Sequence, residues 1–475
     1  MSINRKELDR AFNPYCVAVV GDKRGNGYVW LRSLSTFTGK LYSVQIDPEE
    51  LPGIESMGIP NYFSLLDIPE PVDYVLVAVP RGVVPRVLND CIQKRVGGAA
   101  LFTSGFAETN TEEGLRLEKV LVKMAKDANF NLIGPNCMGI FNPILGLRHD
   151  PDQYHGIAGP VGFISQSGTH AIFFSLVGAL NGIKISKSVS YGNGAVLDST
   201  DYLKYLSQDE ETKIIGMYIE GIKEGRRFFQ SLIETARSKP VLVWKGGKGE
   251  EGYRAIACHT GSLASKPTIW EAVIRQCGAI KVDSLDEMVD CVQALLYLKA
   301  PLGGRVALVA QSGGQSVVIA DAFTRVGLAA PKLSDHSYRQ FASFFNIIGG
   351  SYLNPLDISW HAPSIEDSIR ILDVLSADAN TDSLVFELSL PFLSQIWQYY
   401  PSYIDTLVEA LSEFKNRCPK SFLTVISAGQ LEAEALDIRN KLIERGIPSF
   451  TNFERAAKAL KRVTEYYAFH REGNH

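Results

Sequence analysis

The chain has 475 residues, of which 45% are hydrophobic and 21% charged, with a formal net charge of −4 and a pI of about 6.1. Such values fit a globular protein of about three domains and provide no basic excess for binding nucleic acid. The seven cysteines (Cys16, Cys91, Cys137, Cys258, Cys277, Cys291 and Cys418) are scattered and form no CxxC pair, which argues against a disulfide framework or structural zinc and for a reducing cytoplasm.

Met1–Glu7 lacks the apolar core of a signal peptide. No apolar run is long enough to span a bilayer, so no membrane role is expected. Strand-like runs follow at Cys16–Gly21, Lys40–Ile46, Tyr74–Val79, Gly98–Thr103 and Asn131–Ile133. Between the last two, Leu117, Val120, Leu121, Met124, Ala125 and Ala128 recur at helical spacing. Alternating strands and helices predict an open parallel sheet ending near residue 145. A second series begins at Val161–Ser165 and continues through Ile183–Val189, Lys213–Ile219 and Pro240–Trp244 to a closing helix with Leu285, Met288, Val289, Val292, Leu295 and Leu296 on one face. Ala300–Gly304 reads as a linker, and Arg305–Ala310 starts a third series. The expected domains are 1–145, 157–299 and 304–475.

The second and third series echo each other. Gly162–Gly168 and Ala307–Gly313 both run a strand into Gln-Ser-Gly before a helix begins. Backbone N–H groups at such a turn, together with the helix dipole, favour an anion. Candidate phosphate ligands are therefore Ser165, Ser167, Gly168 and Thr169 in one turn and Ser312, Gly313 and Gly314 in the other; the competing reading is a tight turn that binds nothing. The loop Gly21-Asp22-Lys23-Arg24-Gly25-Asn26-Gly27 follows the first strand. Its glycines can approach a nucleotide, and Lys23 and Arg24 can neutralise phosphate or simply be solvated. The spacing is not GxGxxG.

His259 stands among Ala257, Cys258, Thr260, Gly261 and Ser262, small neighbours that leave an imidazole room to meet a phosphate. A neutral imidazole is a competent nucleophile, and a carboxylate can orient it through its other nitrogen. Glu220, at the end of the strand 214–219, is the candidate, against a merely capping role. Gly134-Pro135-Asn136-Cys137 reads as a turn rather than a thiolate site, because no base lies nearby in sequence. No metal-ligand cluster is visible.

These motifs resemble the α part of NDP-forming acyl-CoA synthetases, the superfamily of ADP-forming acetyl-CoA synthetase and succinyl-CoA synthetase. The likeness is carried by Phe12-Asn13-Pro14, Thr103–Glu108, Gly134–Gly139, Ile164–Gly168, Tyr218–Ile222, His259–Ser262 and Asn354–Asp357, and it covers nearly the whole chain. The resemblance implies an α/β fold with an N-terminal Rossmann-like CoA-binding domain followed by two flavodoxin-like domains. It implies His259 as a phosphorylated nucleophile with Glu220 as its partner, and the two Gln-Ser-Gly turns as phosphate cradles. CoA would lie against Gly21, Lys23, Arg24, Gly25, Gly27, Asn136 and Cys137. ATP or ADP with Mg²⁺ would sit on a separate ATP-grasp β subunit, giving a hetero-oligomer or homodimer that acts on a small carboxylic acid or acyl-CoA.

Three stretches depart from the family pattern. The first loop replaces Gly-Ala-Ser followed by Pro-Gly-Lys, Asp47-Pro48-Glu49 replaces Asn-Pro-Lys and removes a cation, and Tyr191-Gly192-Asn193-Gly194-Ala195 replaces Leu-Gly-Asn-Lys-Ala. Rival readings are a non-catalytic CoA or acyl-CoA-binding regulatory module and a phosphate-dependent acyl or carbamoyl transferase. A nicotinamide oxidoreductase is more distant, because the glycine spacing is wrong.

Overall fold

The computed structural model describes residues 4–247, 249–252 and 267–473. It divides into two compact units, residues 1–179 with 183–285, and residues 180–182 with 286–475. His259 and Cys258 lie outside the described residues.

The first unit holds two sheets. In the first, β1 (Cys16–Val20), β2 (Lys40–Val44), β3 (Asn61–Tyr62), β4 (Tyr74–Val77), β5 (Gly98–Leu101) and β6 (Leu132–Ile133) line up as β3-β2-β1-β4-β5-β6. Every pairing in it is parallel. Strands covered by helices on both faces read as continuous apolar runs, and all residues of β1, β4 and β5 are buried. The helix Glu112–Asp127 accounts for the spaced apolar residues noted above. Thr111 opens it by accepting the Gly114 N–H, with Glu112 and Glu113 in its first turn.

The second sheet contains β7 (Gly139–Phe141), β8 (Val161–Ser165), β9 (Ile185–Ser190), β10 (Ile214–Ile219), β11 (Val241–Lys245) and β12 (Ile280–Val282), ordered β12-β11-β10-β8-β9-β7. β7 runs antiparallel to β9, pairing Gly139 with Ser190 and Phe141 with Ser188. The chain thus enters the second sheet before residue 145, a crossing that periodicity does not reveal because β7 is three residues long. A shared apolar core includes Phe12 and Tyr74 from the first sheet's layer and Ile164, Tyr202 and Met217 from the second's.

The second unit carries β13 (Val306–Ala310), β14 (Leu356–Asp357), β15 (Ser383–Ser389), β16 (Ser421–Ser427) and β17 (Ser449–Phe450), all parallel in the order β14-β13-β15-β16-β17. Apart from β7, the second and third sheets share one strand order, that of a flavodoxin-like fold. The helix Leu285–Tyr297 falls, from Asp286 on, within this second unit, where Asp290 pairs with Arg455. No helix among the described residues is long and apolar enough to cross a membrane.

Candidate active site at the strand-order reversals

In an open parallel sheet, ligands bind beyond the carboxyl ends of the strands where the strand order reverses. The second sheet reverses between β8 and β10, and both predicted elements stand there. β8 ends at Ser165, whose hydroxyl donates to the Ser167 carbonyl at 2.6 Å and accepts the Ser167 N–H at 3.2 Å. Helix Gly168–Leu180 starts directly after, with the Ser167 hydroxyl accepting the His170 N–H. The N–H groups of Gly168 and Thr169 take no partner among the described residues, so the helix start offers two donors and the positive end of its dipole. Met138, on the turn out of the first sheet, packs so close to Gly168 that a Cβ there would lie 2.6 Å from its Cγ.

Glu220 follows β10 and is buried. Its backbone N–H and that of Gly221 both donate to the Gln166 Oε1, at 2.8 and 3.1 Å. Its carboxylate accepts from the Tyr218 hydroxyl at 3.2 Å, and its carbonyl accepts from the Lys245 Nζ at 2.9 Å. Tyr218, His170 and Trp244 form an aromatic wall with ring centroids 4.3 to 4.7 Å apart. Gln166 is therefore the centre of the mouth, since the Tyr191 hydroxyl also approaches its Oε1 at 3.4 Å. Inspection of the turn for phosphate ligands passes over Gln166; the clue to it is the recurrence of the same residue at Gln311.

The third sheet reverses between β13 and β15. The Gln311 Oε1 accepts the Ser389 N–H at 2.8 Å, just as Gln166 accepts from Glu220. Ser312 caps helix Gly313–Arg325 by accepting the Gln315 N–H, and Gly313 and Gly314 are exposed. A Cβ on Gly313 would come within 3.0 Å of the Asp357 Oδ2. A carboxylate already sits over this helix start, where an anion is favoured. Behind the turn, the Glu387 carboxylate is wholly buried, accepting from Gln311 N, Gln315 Nε2 and the Ser427 hydroxyl. Burial raises its pKa above the usual carboxylate value, against those hydrogen bonds.

The first sheet reverses between β1 and β4. A cavity of about 100 Å³ opens there, lined by Gly21, Gln45, Ile46, Phe63, Val79 and Arg86 among others. Gly21 has φ +88°, and a Cβ would strike Val79 at 2.5 Å, so only glycine lets the chain turn into the cavity. The loop beyond is folded on its own acids. Asp22 is fully buried and accepts the N–H groups of Lys23, Trp30 and Leu31, while Glu50 accepts the Arg24 N–H and the Tyr28 hydroxyl. The Gly27 N–H returns to the Arg24 carbonyl. What the loop presents outward is the side chains of Lys23 and Arg24 around the exposed Gly25 and Gly27.

Gly134–Asn136 joins this mouth to the second. Asn136 has φ +59° and donates its N–H to the Thr103 carbonyl. The Cys137 thiol is buried against the Leu101 and Ile133 carbonyls, and burial pushes it up to about 12, which makes it an inert thiol. Asn136 is partly exposed at this turn, whereas the sulfur is enclosed. The loop Tyr191–Ala195 is stitched onto the turn. The Asn193 N–H reaches the Pro135 carbonyl, the Ala195 N–H reaches the Gly134 carbonyl, and the Asn193 side chain bridges Glu108 and Glu118 at 2.6 and 3.0 Å. Among the described residues no group of His, Cys, Asp and Glu is arranged to hold a metal.

A CoA binding domain family matches residues 16–143, and a succinyl-CoA ligase like flavodoxin domain family matches residues 158–295. The chain is 35% identical to the α subunit of acetate–CoA ligase [ADP-forming] II of Pyrococcus furiosus, over 96% of this chain and 97% of that one. The chain belongs to the NDP-forming acyl-CoA synthetase family. It is also 34% identical to acetate–CoA ligase [ADP-forming] I of Archaeoglobus fulgidus, of which it spans 64% of the length. Among solved structures, the dinucleotide forming acetyl-coenzyme A synthetase 1 of Ca. Korarchaeum cryptofilum, in complex with phosphate and ADP, matches with a TM-score of 0.84 and 29% identity over 98% of both chains. These relatives, named as ligases, do not favour the regulatory-module or transferase readings. In this acyl-CoA synthetase chain, the CoA-binding match contains the whole mouth of the first sheet, and the flavodoxin match contains Gln166, Glu220 and the His259 segment.

Proposed function

We propose that this chain is the α subunit of an NDP-forming acyl-CoA synthetase, interconverting acyl-CoA, phosphate and ADP with the free acid, CoA and ATP. The observation that carries the reading is the mouth of the second sheet. Two N–H groups at a helix start, unpartnered among the described residues, follow the turn where Gln166 fixes Glu220. Phosphate bound at Ser167–Thr169 attacks the thioester carbon, forming an acyl phosphate and releasing CoA as the thiolate, which takes up a proton. A nitrogen of His259 then attacks phosphorus and expels the carboxylate. Glu220 orients the ring and stabilises the charge that develops on it. The helix start stabilises the phosphoryl oxygens without offering a competing amine nucleophile. Transfer from phosphohistidine to ADP takes place on a partner ATP-grasp β subunit, which also brings Mg²⁺. CoA lies at the first sheet, with its phosphates against Lys23 and Arg24. The setting is cytoplasmic.

Incubation with the β partner, labelled ATP and Mg²⁺ is expected to put acid-labile, alkali-stable label on this chain. Label retained at wild-type level in His259→Asn would remove the central step. Glu220→Gln is expected to lower labelling about 100-fold while leaving the fold intact.

A further inference from the structure

A second cavity, of about 640 Å³, opens at the other end of β2. Leu41 in β2 lines it, whereas Val44 lines the cavity at the strand-order reversal. Leu41 and Val44 lie three positions apart along the strand, a rise of about 10 Å. Its volume lies in the range of small-molecule sites. The apolar part of the wall comes from Leu34, Phe37, Met57 and Ile59, and the polar part includes Arg32 and Arg148; no Asp or Glu among the described residues lines it.

Arg148 is the unusual member. It is 6% exposed. Its Nε donates to the Ser33 carbonyl at 3.0 Å, and its Nη1 donates to the Pro151 and Gln153 carbonyls at 2.6 and 2.9 Å. Its Nη2 has no hydrogen-bond partner among the described residues, yet it is not among the fully buried unsatisfied atoms. That amino group therefore still meets solvent, and Arg148 lines the cavity. Asp150 and Asp152 act on it only through space, and burial outweighs them, depressing its pKa. Arg32, exposed on the same rim, makes no side-chain hydrogen bond among the described residues. A buried cation without a bonded carboxylate is costly, and Asp150 and Asp152 offset that cost only in part. The Nη2 amino group suits one carboxylate oxygen, and the aliphatic wall suits a hydrocarbon tail.

We propose that this cavity binds an aliphatic monocarboxylate, with the carboxylate on Arg148 and Arg32 and the chain against Leu34, Phe37, Met57 and Ile59. The site is separate from both mouths described above and does not depend on the assignment of His259.

The test uses the full chain with hexanoate as probe and 1-hexanol and inorganic phosphate as controls, read by calorimetry. A diazirine-bearing analogue of hexanoate locates the site by mass spectrometry. Saturable one-to-one binding of hexanoate, weaker binding of both controls, and adducts within residues 31–37 or 57–60 are expected. Arg148→Met is expected to weaken hexanoate about tenfold, as loss of one charge-assisted hydrogen bond does. Ile59→Trp, which fills the cavity from a half-buried position, is expected to abolish binding and adducts even if Arg148→Met fails to fold. The proposal is overturned if hexanol binds as well as hexanoate, if phosphate binds as well, if adducts fall only at the helix start after Ser167, or if Ile59→Trp changes nothing.

Discussion

Gln166 shows how one carboxamide can organise the mouth of a sheet. It accepts two consecutive backbone N–H groups, so the strand end bearing Glu220 is locked to the turn bearing Ser167. In Gln166→Ala both donors lose their partner inside a buried site, at about 1–3 kcal/mol for each unsatisfied group. A drop of about 2 kcal/mol in unfolding free energy is expected, together with loss of phosphoryl labelling larger than the stability change explains. Chemical denaturation and the labelling assay, run side by side on the folded variant, check it; unchanged labelling would show that Glu220 needs no such anchor. His149 illustrates a residue whose effect is on stability. It is fully buried beside Phe141, and burial lowers its pKa to about 4. The unfolded chain binds a proton near pH 6.5 while the folded chain resists it. The stability is therefore full above about pH 6.5 and is lost as pH falls towards about 4, a difference of about 3 kcal/mol. Comparing denaturation at about pH 7.5 and about pH 4.5, wild type is expected to lose more than His149→Gln by about that amount. Equal losses would refute it. Of the residues at the candidate site, the position of Glu220 was legible because it ends an apolar strand, and that of the two Ser-Gly turns because they recur. Asp22, Glu50 and Tyr218 were not, because their roles depend on partners 8 to 26 residues away or on a buried hydroxyl.

At the scale of elements, apolar runs located the strands well. The expected strand at 161–165 is β8, and those at 16–21, 40–46 and 74–79 contain β1, β2 and β4, extended into the loops that follow. The overshoot has a physical cause: β-branched and apolar residues continue past the last ladder bond into the ligand mouth, as Ile46 and Val79 do. The short strands left little trace. β3, β14 and β17 span two residues each, too few for a periodicity, and they are held by register with a longer neighbour. β7 was hidden for the same reason. The loop Tyr191–Ala195, noted only as a departure from the family pattern, turns out to be the element that fixes Asn136 through Gly192. A Cβ at that glycine would collide with the Asn136 carbonyl at 2.1 Å.

For the whole molecule, the duplication read from Gln-Ser-Gly extends to the strand order and to the hydrogen bond that each glutamine makes across its reversal. The helix Leu285–Tyr297 reads in sequence as the end of the second series, yet Arg455 grips Asp290 at 2.6 Å and Arg462 pairs with Glu287 within the second unit. A C-terminal fragment starting at Ser284 is therefore expected to melt about 2–8 °C above one starting at Gly303, the shift that about 1–2 kcal/mol produces in a domain of this size. Circular dichroism melts of the two fragments decide it, and equal melting temperatures would mean that the helix is not part of that fold. The crossing strand β7 has a further consequence. Because Gly139–Phe141 is bonded into β9 and β9 ends at Ser190, beside Tyr191 and Gln166, the polypeptide leaving the CoA-side layer is laced directly into the frame of the phosphate-side mouth. A displacement of one layer would therefore reach the other along the main chain itself.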